Sequence, residues 1–503
     1  MDEYDYIVVG GGTAGSVLAA RLSENSDATV LLLEAGSATM PDLAAVPPAW
    51  PLLMHTDVDW ADSTEVQEAS GTPIHLPLGK GLGGSSGTNG LFFVRGHRSS
   101  YDAWVEKGAK GWGFDDLLPY FRRSERIDNG DHALHGARGP LSPERPDPLH
   151  PLIAAMLAGA GEIGFPLAAD IGGGTETGFG PTNLSIADGK RQSAADAYLT
   201  PALHRPNLTV TTDASVSRIT VSSGRATGVE YRLRGEAHRA VSRAEVVLTA
   251  GTIGSAQLLL LSGIGPKQHL SDVGIETVLD VPGVGANLRD HALSQVAYTP
   301  AREVPPTEHN HSGAIGLLRS PGSEIPDLQL VFSDIALYGP AVSGPPGYAI
   351  LVSAMLPRSR GTVLLRSADP TDRPRIDPKY YADAEDVRVV EAGLRIARDI
   401  GRADAMASWR GTEVAPGPLV DSAEDLRDYA RRSLVSYMHP VGTCRIGGDD
   451  QAVVDSDLRV REVTGLRVAD ASVMPSLPSA NPAATVYAIA EKAADMITRD
   501  GRR

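Results

Sequence analysis

The sequence predicts an α/β protein built from two structural domains, and three observations carry that prediction. Within Met1 to Gly36 it runs strand, glycine turn, helix, strand, the order of a parallel βαβ unit. Short strand-like runs recur between Leu208 and Leu248 and again between Ala314 and Arg366, enough for a second sheet. At 503 residues the chain is also longer than one hydrophobic core usually organises.

The opening unit carries the most information. Tyr6-Ile7-Val8-Val9 is a short apolar, β-branched run that feeds Gly10-Gly11-Gly12-Thr13-Ala14-Gly15. Gly10, Gly12 and Gly15 hold the G-x-G-x-x-G spacing: the first allows a tight turn, the second lets backbone approach a pyrophosphate, and the third lets the next helix pack closely on the strand. That helix, Ala14 to Leu22, aims unpaired amides and the positive end of its dipole at an anion. Thr29 to Leu33 is the second strand. Glu34 closes it 19 residues after Gly15, where a carboxylate accepts hydrogen bonds from ribose hydroxyls. The glycine spacing alone is weak, but with strand, helix, second strand and terminal acid in register it points to a Rossmann-like dinucleotide-binding domain.

Ala35 to Leu78 shows little periodicity and reads as an extended excursion. Gly79 to Gly90 is a second dense glycine segment that runs straight into Leu91-Phe92-Phe93-Val94. Neither helix nor strand propensity accounts for it, so its backbone is needed close to something; a flexible linker rarely leads directly into so apolar a run. Leu152 to Ile163 reads as an Ala-rich helix, and Tyr198-Leu199 as a helical turn that stops at Pro201. Leu208 to Thr212, Ala214 to Val221, Ala226 to Leu233 and Ala244 to Leu248 read as strands, the last leading into another strand-to-glycine-to-helix passage, Thr249 to Leu261. Beyond His291, Ala314 to Leu318, Asp327 to Phe332, Tyr348 to Met355 and Gly361 to Arg366 read as the sheet of a separate domain. Asp386 to Ile400 and Ala423 to Leu434 are amphipathic helices. The chain then returns to a strand, Leu466 to Ala469, a loop, Asp470 to Ala480, and a helix from Pro482 to about Arg499. This partition places 1–147, 186–291 and 437–503 in the nucleotide domain. It leaves 148–185 and 292–436 for a substrate domain whose largely antiparallel sheet is flanked by helices.

Composition narrows the partners. With 62 acidic against 46 basic residues the formal charge is −16, which argues against nucleic acid and anionic membrane. No apolar run reaches the roughly 18 residues that span a bilayer. The acidic start, Asp2-Glu3-Tyr4-Asp5, is unlike a basic secretory signal, so cytoplasmic residence is the expectation. The single cysteine, Cys444, excludes an internal disulfide and a multi-cysteine zinc site. Glu308, His309 and His311 are candidates for lining a cavity or binding a metal, but two His at i and i+2 on a loop favour plain solvation, and no metal centre is expected.

Four passages together resemble the glucose-methanol-choline (GMC) oxidoreductases, flavoenzymes that bind FAD. They are the fingerprint through Glu34; Gly79 to Asn89 with Arg95-Gly96; Gly251 to Gly265; and Met438 to Arg445 with Asp470-Ala471-Ser472 to Asn481-Pro482. The resemblance extends from Tyr6 to Met496. It implies that Gly12, Thr13 and Glu34 face the pyrophosphate and adenosine ribose of FAD, that Val216 meets adenine through its backbone, and that Asn89, Gly90, Leu91 and Phe92 lie along the isoalloxazine ring. It puts Asp470 and Ala471 on the ribityl and pyrophosphate side, with Gly10, Ala14, Gly15, Ala35, Gly83, Gly84, Asn481 and Pro482 also at the cofactor. His439 and Asn481 match the family's catalytic pair. Thr88 stands where some members carry a histidine linked covalently to FAD, so a non-covalent flavin is implied. Ala256 replaces the usual Pro or Ser, and the segment between His291 and Ser312, which normally helps shape the substrate cavity, is short.

Oxidising an alcohol removes a proton from oxygen and a hydride from carbon. A neutral imidazole suits the first task, and flavin N5 accepts the hydride. His439, in a loop fixed by Pro440 and Gly442, is the expected base, although a lone His outside such a context is usually a satisfied surface or core residue. Asn481, followed by Pro482 and an Ala-rich helix, also reads as an N-cap with proline at N1, a role compatible with a hydrogen bond to the alcohol. The expected activity is FAD-dependent oxidation of an alcohol to a carbonyl, with reduced flavin reoxidised by O2 or another acceptor. Two rivals remain: a lyase on the same flavoprotein scaffold, of the hydroxynitrile lyase or decarboxylase type, and a nucleotide-binding structural protein without turnover.

Overall fold

Five parallel strands that end at one edge organise one half of the molecule. The computed structural model, which describes residues 2–340 and 342–501, pairs Asp2–Val9 in parallel with both Val30–Leu33 and Glu236–Leu248. Val30–Leu33 pairs in parallel with Leu208–Thr211, and Glu236–Leu248 with Leu466–Val468. Two antiparallel strands, Arg225–Leu233 and Ala214–Ser222, complete this seven-stranded mixed sheet. Val30–Leu33 is buried throughout, which is why it reads as an unbroken Val-Leu-Leu-Leu run. Helix Thr13–Leu22 packs against Ala483–Gly501, far along the chain. Its close approach to the first strand needs glycine: a Cβ on Gly15 would lie 1.8 Å from the Gly10 carbonyl oxygen.

The second sheet is antiparallel and runs in the order Arg410–Ala415, Ala292–Pro300, Tyr348–Ala354, Leu328–Ser333, Ala314–Leu318, Gly178–Pro181. Helix Ala384–Arg402 covers one face, and a Cβ on Gly393 would lie 2.3 Å from Val352 Cγ1. Val352 alternates with Leu351, which pairs with Val331 and Gln295, so the opposite face carries Leu293, Val331, Ser333 and Leu351. The fold is therefore mixed α/β, a Rossmann-like sheet beside an antiparallel one.

Several elements differ from their sequence reading. Ala292–Pro300 is a central strand that the pattern did not reveal, because Ser294 and Gln295 interrupt its apolar run. Both are buried and satisfied, Ser294 Oγ by Ser433 Oγ at 2.6 Å and Gln295 Oε1 by the Leu337 amide at 3.0 Å. The strand expected at Ala244 to Leu248 begins at Glu236, its polar first half pairing with Arg225–Leu233. Pro201 does not stop the turn before it but lies within Thr200–Ala202, which continues directly from a π-helical turn at Ala195–Leu199. Cys444 is fully buried, and burial pushes its thiol far above the ordinary range.

Candidate active site

A cavity of about 550 Å³ lies between the carboxyl edge of the first sheet and the open face of the second. Ligands in open α/β sheets bind at that edge, because strand-to-helix turns there present backbone amides. Gly10, Gly12, Thr13, Ala14, Glu34, Ala35, Gly84, Asn89, Gly90, Leu91, Phe92, Val216, Asp470, Ala471, Asn481 and Pro482 all line it. Gly15 and Gly83 do not; they stand behind the wall, Gly15 against the first strand and Gly83 with its amide on the Gly11 carbonyl at 2.8 Å.

Glu34 does more than face the cavity. Its Oε2 accepts from the Gly11 amide at 2.7 Å, and Oε1 accepts from the Gly36 and Gly81 amides at 2.8 and 3.1 Å. Burial raises its carboxyl, and the three amides oppose that rise. One carboxylate thus ties the two glycine-rich segments together. Asp470 plays a similar part: its side chain is turned inward and accepts from the Gly251 amide at 2.9 Å, from Ser255 Oγ at 2.5 Å and from the amide and hydroxyl of Ser472. Its carboxylate is therefore engaged with protein donors. Asn89 is likewise engaged, since Arg191 donates to its Oδ1 at 2.8 Å and to its backbone oxygen at 2.7 Å. Arg191 also donates to the Ala44 and Ser86 carbonyls, and burial lowers its guanidinium to about 10.

These features fit FAD. A Cβ on Gly84 would lie 2.7 Å from Gly12 Cα, so two bare backbones meet beside a helix start whose first amides have no intrahelical acceptor. At the far end Asn481 Oδ1 is buried with no protein partner. It does not cap the helix that begins at Ala483, which corrects the N-cap reading and leaves the oxygen for a bound group.

His439 and Asn481 meet at the junction of the two halves, with Asn481 Nδ2 3.2 Å from His439 Nε2 and both residues 7% exposed. Sequence reasoning missed what holds them. Asp290 is buried and accepts from the His439 amide at 2.7 Å, from Ser436 Oγ at 2.5 Å and from the Tyr380 hydroxyl. Burial raises its carboxyl to about 6, and these hydrogen bonds oppose that rise. The next residue, His291, places Nδ1 2.9 Å from His439 Nδ1 and Nε2 2.9 Å from the Met355 carbonyl. A carbonyl only accepts, so His291 Nε2 carries hydrogen. Burial pushes His291 down to about 4, so the ring is neutral and its Nδ1 bare. His439 Nδ1 must then donate, and its Nε2 is the bare nitrogen, receiving the Asn481 amide hydrogen. Burial, with the neighbouring His291, holds His439 well below the usual imidazole range. The Tyr437 ring lies over it, centroids 4.1 Å apart.

Three non-glycine residues in the wall have left-handed backbones: Leu91 (φ 64°), His311 (φ 66°) and Met438 (φ 63°). Such strain persists where surrounding structure imposes it, as at binding sites. His311 is thus part of the wall, contrary to the reading of its loop as solvated, whereas Glu308 is exposed.

The profile of the GMC oxidoreductases matches residues 4–293 and 357–490. Mitochondrial choline dehydrogenase from Homo sapiens is 39% identical, over 99% of this chain and 90% of that protein. An uncharacterised GMC-type oxidoreductase from Mycobacterium tuberculosis is 40% identical, over 98% of this chain and 99% of that one. Among solved structures, pyridoxine 4-oxidase from Mesorbium loti superposes with a TM-score of 0.95 at 36% identity, covering 98% of each chain. A formate oxidase variant from Aspergillus oryzae superposes at 0.91 and 27% identity, covering 100% of this chain and 99% of that one. The chain therefore belongs to the GMC oxidoreductases, enzymes that use FAD to oxidise CH–OH donors.

Proposed function

We propose that this enzyme oxidises an alcohol to a carbonyl with His439 Nε2 as the base and Asn481 as its partner at the alcohol oxygen. The observation that supports this most directly is the bare Nε2 beside the Asn481 amide, in the wall where the glycine-rich loops meet the second sheet. Bound FAD supplies the acceptor for the hydride. An alcohol hydroxyl donates to His439 Nε2, and Asn481 Nδ2 has a second hydrogen to give to the alcohol oxygen. As the carbon–hydrogen bond breaks, the oxygen's proton becomes that of a protonated carbonyl, acidic enough for a weakly basic imidazole to take. The depressed pKa keeps the ring in its proton-accepting form at neutral pH. The resulting imidazolium donates through Nδ1 to neutral His291, and the Asp290 carboxylate lies against the same loop.

The cofactor residues are those that line the nucleotide half. Gly12, Thr13 and Ala14 meet the pyrophosphate at the helix start, Val216 meets the adenine, and Gly90 to Phe92 with Ala471 and Pro482 meet the flavin end. With Thr88 in place of a linking histidine, the flavin is held without a covalent bond. Residues 1–147, 186–291 and 437–503 form the FAD domain, and 148–185 and 292–436 form the substrate domain. O2 or another acceptor reoxidises the flavin. The enzyme acts in the cytoplasm; among the described residues no helix is long and apolar enough to cross a membrane.

Anaerobic mixing with an alcohol panel, followed at the oxidised flavin band, tests the reading. His439→Ala should slow bleaching by about 100-fold or more. A wild-type rate in that variant would remove His439 from the mechanism.

A further inference from the structure

The substrate half of the cavity has a charge pattern that its apolar walls conceal. Leu293, Val331 and Leu351 form its roof, and Trp50, Leu337 and Met438 close its sides. The carboxylates in the cavity wall are already engaged. Glu34 and Asp470 accept from the donors described above, Asp59 accepts from the His55, Ala61 and Leu78 amides, and Asp62 pairs with Arg373. None of these is on the sheet face that roofs the substrate.

His311 joins His439 and Tyr437 among the titratable residues on this side. Its Nε2 is 2.8 Å from the Pro48 carbonyl and its Nδ1 is 2.8 Å from Asp334 Oδ1. Both partners only accept, so both ring nitrogens carry hydrogen and the ring is an imidazolium. Burial opposes that charge, but the Asp334 bond overrides it and raises the ring above its ordinary range. Asp334 lies behind the ring, outside the cavity wall, so the cavity meets the positive member of the pair. The loop is locked in place: Asn310 Nδ2 donates to the Gly90 carbonyl at 2.7 Å, its Oδ1 accepts from the Ser312 amide, and its backbone oxygen accepts from Trp50 Nε1 at 3.2 Å.

Resting on the reading of this site as an alcohol-oxidising centre, we infer that its substrate is an uncharged alcohol with an apolar or aromatic body, and that His311 and the aliphatic roof exclude quaternary ammonium alcohols. A permanent cation entering here loses its hydration, faces an imidazolium and meets no free carboxylate. Of the nearby aromatic rings, Tyr437 turns one face to the His439 ring and Trp50 packs one side against Gly90. An electron-rich aromatic body instead gains from the cationic ring of His311.

The test compares choline with its uncharged isostere, 3,3-dimethylbutan-1-ol, and with benzyl alcohol, as anaerobic reductants of the holoenzyme. Both neutral alcohols should reduce the flavin with a second-order rate constant at least about 100-fold above that of choline. His311→Gln, which removes the charge and keeps polar atoms for Asp334, should narrow the gap about tenfold by raising the rate with choline. Leu293→Glu, which adds a carboxylate to the roof, should narrow it by a second route. Choline matching its isostere in the wild-type enzyme overturns the inference and leaves alcohol oxidation standing. Failure of every alcohol to bleach the flavin overturns both.

Discussion

The Nδ1 atoms of His291 and His439 lie 2.9 Å apart, and one proton between them sets which nitrogen of His439 faces the substrate. Removing the acceptor frees the tautomer. His291→Phe should slow anaerobic flavin reduction about 10- to 100-fold with flavin content unchanged, while His291→Asn, which keeps a carbonyl oxygen near Nδ1, should recover part of the loss. Equal rates in the two variants would deny His291 its acceptor role.

The pH dependence follows from the sign of the His439 shift. Its pKa is lowered, the protonated ring cannot accept the alcohol proton, and so the rate of flavin reduction should stay level through neutral pH and fall only well below 6.5. A limb at or above 6.5 in stopped-flow data would contradict this.

Asn481→Asp changes that limb in a defined direction. A carboxylate beside the bare Nε2 favours the protonated ring, so the limb should move to higher pH and reduction near neutral pH should slow. Asn481→Ala should slow reduction by about 10-fold or more without moving the limb upward.

Glu34→Gln places an NH2 group among three amide donors that a carboxylate satisfies. The loss should be about 1–3 kcal/mol of stability, together with weaker flavin retention, read as a lower melting temperature and a lower flavin-to-protein ratio.

His135 sits far from the chemistry, between Glu125 at 2.9 Å and Asp170 at 2.7 Å. Burial opposes its charge, but the two carboxylates raise it to about 9. Its folded pKa exceeds the unfolded value of about 6.5, so its contribution is complete below that pH and is lost as pH rises through 9. The melting-temperature gap between wild type and His135→Gln should therefore be wide at pH 6 and narrow by pH 9.5.

How much of this could be read beforehand depends on whether the signal was local. Gly10, Gly12, Gly15 and Glu34 announce themselves because turn, dipole and acid fall within one short stretch. His439 and Asn481 became legible only through resemblance. Asp290 and His291 left no trace, since a buried carboxylate and a hydrogen-bonded imidazole follow no period; their partners lie at Tyr380, Ser436 and Met355. Arg191 carries no mark in the sequence, although it clamps the segment at Asn89. The strand Ala292–Pro300 was hidden by polar side chains that tertiary partners satisfy.

The sheet that opens with Asp2–Val9 also takes in Leu466–Val468, and the helix starting at Thr13 packs against Ala483–Gly501. On a ribosome, the glycine turn emerges hundreds of residues before the segments that complete its surroundings. Capture of the coenzyme must therefore wait for nearly the whole polypeptide to be synthesised, so a nascent chain stalled before Leu466 would emerge without its yellow colour.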